Sequence, residues 1–305
     1  MNDGPARDFI GYGGASPTGR WDGDARLAIN FVLNVEEGSE PSVLDGDGYT
    51  ENRLTDSTVT LGTTRDLAAE GLFEYGSRAG FWRIHREFQN RDVPLTVFAC
   101  ALALERNPPI TQAIVDAAYD VCSHGYRWIN HRALDETTER EQIALAVESF
   151  RRSLGYQPHG WYCRYGPSVN TRRLLVEHGG FLYDSDAYND DLPYWVEVDG
   201  TPHLILPYSL DANDFKFALT PGWTSGEDFC TYLKATFDRL YREGETAPKM
   251  MSVGLHPRMV GRPGKIRALK DFIAYAQAHE GVWFATREEI ARAWLAREGE
   301  VTGVV

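Results

Sequence analysis

The sequence predicts an α/β fold, a distorted (β/α) barrel of about seven strands. Short apolar runs alternate with helical segments about seven times along the 305 residues, which is typical of parallel strands joined by helical crossovers. A chain of this length favours a closed or nearly closed barrel over an open doubly wound sheet. No glycine-rich phosphate loop follows the first strand, where Glu36 and Glu37 stand instead. This absence argues against a dinucleotide-binding fold.

The first third of the chain mixes irregular segments with strong strands. Residues 1–24, rich in Gly, Pro and Asp, predict an irregular arm. The nearly continuous apolar run at 26–35 suits a strand that is covered on both faces. Residues 38–70 are polar and without periodicity, so we expect a long excursion of the kind that is usually functional in a compact domain. Helical spacing follows at 81–88 and a second strand at 93–99.

Strands and helices then alternate regularly, and we expect residues 1–305 to form a single barrel domain. Strands are predicted at a run ending at Cys122 and at 160–162, 181–183, 204–207, 250–255 and 282–285. Helices are predicted at 110–118, 139–154, 170–178, 226–242, 265–278 and from 286 to about 296. Three helix starts carry capping pairs, in which a hydroxyl and a carboxylate satisfy free N–H groups. These pairs are Thr138 with Glu141, Ser225 with Asp228, and Thr286 with Glu289.

Composition excludes several classes of function. The net charge is −13 and no Lys/Arg-rich run offers a phosphate track, so we expect no nucleic-acid partner and no attraction to an anionic membrane. No apolar segment approaches the 18 residues of a membrane span, and the N-terminal residues lack the apolar region of a secretory signal. Four scattered cysteines fit reduced thiols. These features predict a cytoplasmic protein that acts on a small molecule.

Polar residues stand where four of the predicted strands end: Glu36 with Glu37, then His124, Arg164 and His256. A barrel gathers such strand ends at one mouth, where active sites lie. Crowding and burial of the two glutamates would raise one pKa, which suits Glu36 as a general base. His124 or a backbone N–H could stabilise an oxyanion, and His256 could protonate a leaving nitrogen. Taken singly, these residues also fit solvated glutamates and hydrogen-bonded core histidines.

Several segments resemble one known family. An acidic pair at 34–37, a histidine motif at 123–128, an Arg/Gly/Pro loop at 164–167 and Leu255-His256 are similar to motifs of the polysaccharide deacetylase superfamily (carbohydrate esterase family 4, NodB-like). Longer strings resemble its allantoinase-like (urate catabolism) and cyclic imide hydrolase branch, over nearly the whole chain. These strings are 8–13, 74–82, 170–174, 184–186, 191–195, 210–214 and 254–256.

The resemblance implies a NodB-like barrel, ring opening of a cyclic amide in purine catabolism, and a homo-oligomer, a tetramer. Deacetylases of the superfamily hold a divalent metal with one Asp and two His. Here Trp128 takes the place of the second histidine, so the resemblance implies that no cofactor is required. A weak zinc site made by Glu37, His124 and His256 is the alternative. Two other functions stay open: a metal-dependent N-deacetylase of an amino sugar polymer or peptidoglycan, and an inactive barrel kept for binding.

Further residues are candidates for binding the substrate. Glu37 could accept a hydrogen bond from a ureido or imide N–H, and Arg164 could bind substrate carbonyls or the product carboxylate. Three aromatic residues, Trp128, Tyr162 and Trp195, could enclose a flat ring, although each also fits a core position. Four polar residues could support the site or simply form turns; they are Asp184, Asp186, Asn213 and Asp214. The 163–168 loop departs from the allantoinase pattern, which puts allantoin itself in question.

Overall fold

The structure is a computed structural model that describes residues 4–57, 62–164 and 166–302, with side chains as far as residue 297. Tyr165, which lies in the predicted Arg/Gly/Pro loop, is outside the described residues. The strands are β1 (Leu27–Val35), β2 (Thr96–Ala99), β3 (Asp120–Ser123), β4 (Gly160–Trp161), β5 (Tyr183–Asp184), β6 (Tyr194–Val198), β7 (Thr201–Ile205), β8 (Lys249–Leu255) and β9 (Val282–Phe284).

All these strands belong to one sheet, in the order β6-β7-β5-β4-β3-β2-β1-β8, with β9 beside β1. Only β6 and β7 pair antiparallel within the described sheet; the other pairings are parallel. The sheet curls into a half-barrel, and the predicted α/β class with a distorted barrel is confirmed. The β6–β7 hairpin was not predicted.

Helices cover the sheet between successive strands. They are α1 (Leu67–Tyr75), α2 (Phe81–Gln89), α3 (Ala101–Arg106), α4 (Pro108–Asp116), α5 (Glu136–Leu154), α6 (Thr171–His178), α7 (Gly226–Glu243), α8 (Ile266–Gln277) and α9 (Arg287–Thr302). A π-helical turn, Gly76–Gly80, joins α1 to α2. The predicted helices are present, whereas α1 and α3 were missed, and α1 begins inside the predicted excursion. No helix among the described residues has the length and apolarity needed to cross a membrane.

Side-chain capping sets the helix starts. At α7, Ser225 Oγ accepts from the Asp228 N–H (3.2 Å) and the Asp228 carboxylate accepts from the Ser225 N–H (2.8 Å), as predicted. The reciprocal pair of Thr286 and Glu289 at α9 is also confirmed. The predicted cap of α5 is wrong. Asp135, three residues earlier, accepts from the Thr138 N–H at 2.9 Å, so the helix starts at Glu136.

Strand β1 is the centre of the sheet, and its register positions the site. All nine of its residues are buried, which its apolar run on both faces permits. Its pairing with β8 ends where Leu33 lies opposite Leu255, and its pairing with β2 ends where Val35 lies opposite Ala99. Ala99 in turn pairs with Ser123 of β3. Because these strands are parallel and in register, the residues that follow β1, β3 and β8 emerge at the same edge.

Candidate active site

Three predicted residues meet at this edge. The Glu36 carboxylate, directly after β1, lies between two imidazoles: its Oε1 is 3.2 Å from His124 Nε2 and 3.6 Å from His256 Nε2. All three side chains are buried. The sequence analysis named these as the catalytic residues, and the structure brings them together as one cluster.

His256 is held by Asp214, which begins the short 3₁₀ helix Asp214–Ala218. His256 Nδ1–H donates to Asp214 Oδ1 at 2.6 Å, and the second Asp214 oxygen accepts from the backbone N–H groups of His256 and Val260. Burial lowers the pKa of His256, but the carboxylates of Asp214 and Glu36 outweigh burial and raise that pKa to about 9. The imidazole is therefore protonated at neutral pH, with its Nε2–H directed at Glu36.

His124 is oriented by the chain that follows β4. Its Nδ1–H donates to the backbone carbonyl oxygen of Tyr162 at 3.2 Å, and its ring stacks on the Tyr162 ring with the centroids 5.0 Å apart. A carbonyl oxygen only accepts, so Nδ1 carries a hydrogen. The Glu36 carboxylate also only accepts, so the hydrogen bond between it and Nε2 requires a second hydrogen, on Nε2.

Arg258 is the main residue that sequence reasoning missed. Its guanidinium donates from Nη2 to Glu36 Oε2 (2.7 Å), from Nη1 to Glu37 Oε1 (3.1 Å) and from Nε to the Leu54 carbonyl oxygen (2.9 Å). The residue is only 2% exposed. A signal was present in the sequence, since two adjacent glutamates after a buried strand need a nearby counter-charge. Arg258 follows His256 by two positions.

The two glutamates differ in acidity. Burial raises the pKa of Glu36, but the charges of Arg258 and His256, with hydrogen bonds from both histidines, hold that pKa well below its usual value. For Glu37, burial again raises the pKa, Arg258 opposes it and the Glu36 charge adds to it, so the pKa of Glu37 is raised. Burial, with crowding by Glu36, thus raises the pKa of Glu37, whereas Glu36, the predicted base, is ionised.

A pocket of about 250 Å³ opens onto the cluster. Three predicted substrate-binding residues line it with the catalytic cluster: Trp128, Tyr162 and Arg164. Arg164 stacks over the Trp128 ring at 3.6 Å from the centroid and donates to the Trp128 carbonyl oxygen and to Glu51. Asn213, one of the four polar residues expected to support the site or form turns, also lines the pocket. The lining residues that sequence reasoning missed are Asn34, on β1, and four residues from segments between the strands: Leu54, Tyr208, Leu210 and Phe215.

The remaining predicted substrate-binding residues lie elsewhere. Glu37 is behind Glu36, bound to Arg258. Asp186 lies after β5, where its carboxylate accepts from the backbone N–H of Cys163 at 2.8 Å. Trp195 is on β6 and lines a separate cavity of about 880 Å³ beside the N-terminal arm. The prediction that these three residues line the pocket is therefore corrected. Glu37 and Asp186 are held by neighbouring groups, and Trp195 lines the other cavity.

The donors do not fit a divalent metal. The alternative zinc site required Glu37 between His124 and His256, but Glu36 occupies that place and the carboxylate of Glu37 binds Arg258. Across the described residues, no group of three or more His, Cys, Asp or Glu side chains is arranged to hold a metal ion. Zinc sites use three or four such donors that are free to bind the metal, whereas here a guanidinium already binds the carboxylates of both glutamates.

Comparison with known proteins gave consistent matches. Residues 63–182 match the family model described as Polysaccharide deacetylase. A Schizosaccharomyces pombe protein described as "Putative polysaccharide deacetylase" is 41% identical over 312 residues, which cover 95% of this chain and 97% of that protein. The crystal structure of a "probable Polysaccharide deacetylase" from Pseudomonas aeruginosa PAO1 has a TM-score of 0.92 and 51% identity. That of PuuE allantoinase has a TM-score of 0.92 and 49% identity. Each structure covers 96% of this chain and 98% of its own.

Proposed function

The chain belongs to the polysaccharide deacetylase family of hydrolases, and on that basis we propose that it opens a small cyclic amide, allantoin or a related hydantoin or imide. The juxtaposition of Glu36 and His256 on one small pocket carries the proposal. The pKa of Glu36 is held low and that of His256 is raised, so at neutral pH the carboxylate can accept a proton while the imidazolium can donate one.

The size of the pocket supports a small substrate. Its volume of about 250 Å³ is below the roughly 300–1,000 Å³ of sites for drug-sized ligands. A single five-membered ring fits this space, and the aromatic residues Trp128 and Tyr162 give it flat walls. The 49% identity to PuuE allantoinase supports the same class of substrate.

In the proposed reaction, the Glu36 carboxylate takes a proton from a water whose oxygen attacks the ring carbonyl carbon. His124 stabilises the oxyanion through a hydrogen bond from its Nε2–H. As the ring C–N bond breaks, His256 Nε2 gives its proton to the departing nitrogen and leaves a carboxylic acid and a free N–H. The proton on Glu36 then returns to His256 across the 3.6 Å between them, directly or through one water. Arg164 is suited to bind the product carboxylate.

Chelator-treated protein should be assayed with allantoin, hydantoin, succinimide, dihydrouracil and an N-acetylglucosamine oligomer. Ring opening without added metal is the expected result, and the preferred ring would identify the substrate. The names of the two deacetylase relatives favour the second candidate, a metal-dependent N-deacetylase. Acetate release from the oligomer that appears only with zinc would support that candidate and contradict ring hydrolysis.

A further inference from the structure

Arg258 is a buried cation that contacts two buried carboxylates. Glu36 and Glu37 are 1% and 4% exposed, and Arg258 is 2% exposed. Two unscreened negative charges in a dry interior need a partner of opposite charge. The guanidinium supplies it in a forked geometry, with one terminal nitrogen for each carboxylate.

The surroundings of this cation are built to fit it. The guanidinium carbon lies 4.6 Å from the ring centroid of Phe73 and 5.2 Å from that of Trp128, both within cation–π range. Trp128 is also the residue that stands in place of the family's second histidine. The tryptophan that replaces a metal-binding histidine of the family therefore packs on the Arg258 guanidinium.

Backbone packing holds the pair from behind. The π-helical turn Gly76–Gly80 brings Gly76 against Glu37, where an added Cβ would come within 2.4 Å of Oε1. A Cβ on Gly80 would meet the Pro257 carbonyl oxygen at 2.0 Å. Any other residue at these two positions would displace Glu37 or the segment that carries Arg258.

We propose, resting on the function above, that Arg258 is the resident cation of this site: it bridges Glu36 and Glu37, excludes a divalent metal even when a third ligand is supplied, and positions Glu36. Arg258 is not among the residues that line the pocket, so it acts through Glu36. By binding Oε2, it leaves Oε1 for the two histidines and the substrate water. Arg258 is thus a positioning residue.

Zinc binding tests the exclusion without any substrate. Purified wild type, Trp128→His, Arg258→Ala and the double variant should be dialysed against micromolar zinc and their metal content measured. We expect about one zinc ion per chain in the double variant and none above background in Trp128→His, because Arg258 still binds both carboxylates. Zinc bound by the Trp128→His single variant would overturn the exclusion, and so would the absence of bound zinc in the double variant.

Kinetics test the positioning role. In Arg258→Ala we expect kcat to fall about 10²-fold, with KM changed less than about threefold, and guanidinium chloride to restore activity where equal potassium chloride does not. Arg258→Lys keeps a charge that cannot span both carboxylates and should lose about tenfold in kcat. It serves as the test if the alanine variant fails to fold by circular dichroism.

The matched control is Arg262→Ala, since this arginine is four residues further on and packs on the Tyr75 ring; its kcat should stay within about twofold of wild type. A folded Arg258→Ala variant with kcat within threefold of wild type would overturn the positioning role. If even wild type opens no ring, the proposed function fails, and the zinc measurements still decide whether Arg258 excludes metal.

Discussion

Two cavities lie side by side in this molecule and differ in both size and chemistry. The smaller, about 250 Å³, is lined by Glu36, His124 and His256. The larger, about 880 Å³, lies between the N-terminal arm and residues 188–195. A hydrogen bond connects their walls: the hydroxyl groups of Tyr162, on the small pocket, and Tyr188, on the large cavity, are 2.9 Å apart.

The difference between the cavities teaches that strand register, and not volume, locates the chemistry. The small pocket receives side chains from the ends of β1, β3 and β8, and these ends are fixed by the pairing of buried strands. The large cavity is lined by loops, by β6 and by Lys249 at the start of β8, and no histidine is among its lining residues. Its carboxylates Asp8 and Asp190 accept hydrogen bonds from backbone N–H groups of neighbouring residues, so the cavity lacks the paired carboxylate and imidazoles of the small pocket. Four predictions test this contrast.

The largest effect is expected at the base. Glu36→Gln keeps the shape of the side chain but removes the proton acceptor, so we expect kcat for ring opening to fall about 10³-fold. Steady-state kinetics with the best ring substrate measures it. Glu37→Gln, which removes the charge that binds Arg258 and accepts from the Glu36 backbone N–H, is the matched control and should lose about tenfold. A fall of less than tenfold in Glu36→Gln would mean that another group activates water.

The pH dependence should depend on His256. Because the pKa of His256 is raised to about 9, kcat/KM should hold through neutral pH and fall as the pH rises through about 9, where the acid loses its proton. Asp214→Asn removes the first carboxylate that raises this pKa, so the basic limb should move to lower pH by about one unit or more. An unchanged basic limb in Asp214→Asn would exclude His256 as the titrating acid.

The raised pKa of His256 also makes the stability of the fold depend on pH. A histidine whose folded pKa is raised above 6.5 stabilises the fold below pH 6.5, and this contribution disappears as the pH rises through about 9. Thermal unfolding of wild type and Asp214→Asn across this window should therefore differ most at the acid side.

The smallest effect is expected in the large cavity. Trp195→Phe changes a wall of that cavity alone, so we expect kcat/KM within about twofold of wild type. Trp128→Phe is the paired variant in the small pocket, where the smaller ring opens the wall beside Arg164, and it should lose about tenfold. If Trp195→Phe were the more damaging of the two, the large cavity would have to take part in substrate binding.

The central strands and the catalytic trio were predictable from sequence, because long apolar runs ending on polar residues mark buried parallel strands. The β6–β7 hairpin was missed although its signal was present. Asp199-Gly200 lies between two strand-like runs, and both residues have positive φ (49° and 81°), as the two central positions of a type I′ turn require. The hairpin was missed because its strands are partly polar, and β6 is only half-buried.

Arg258 was missed for a different reason. Its partners are 222 and 221 residues away in the chain, and nothing in the local pattern of Pro257 to Gly261 indicates that an arginine there is buried. Its role depends on where the turn after β8 lies relative to the end of β1. The correction at α5, where Asp135 caps in place of Thr138, is local by contrast and could have been made from the residue types alone.

The π-helical turn Gly76–Gly80 has a consequence for insertions and deletions. Residues 67–89 form one continuous helical segment in which this wider turn holds an extra residue relative to an α-helix. A chain one residue shorter within this turn could close into an unbroken α-helix with its later side chains on nearly the same faces, because the wide turn absorbs one extra residue. A residue added to or removed from α1 would instead rotate every later side chain by about 100°. Gly80 and the apolar face of α2 would then turn away from their partners. This segment therefore tolerates few changes in length, although a helix is usually a forgiving place for changes in sequence.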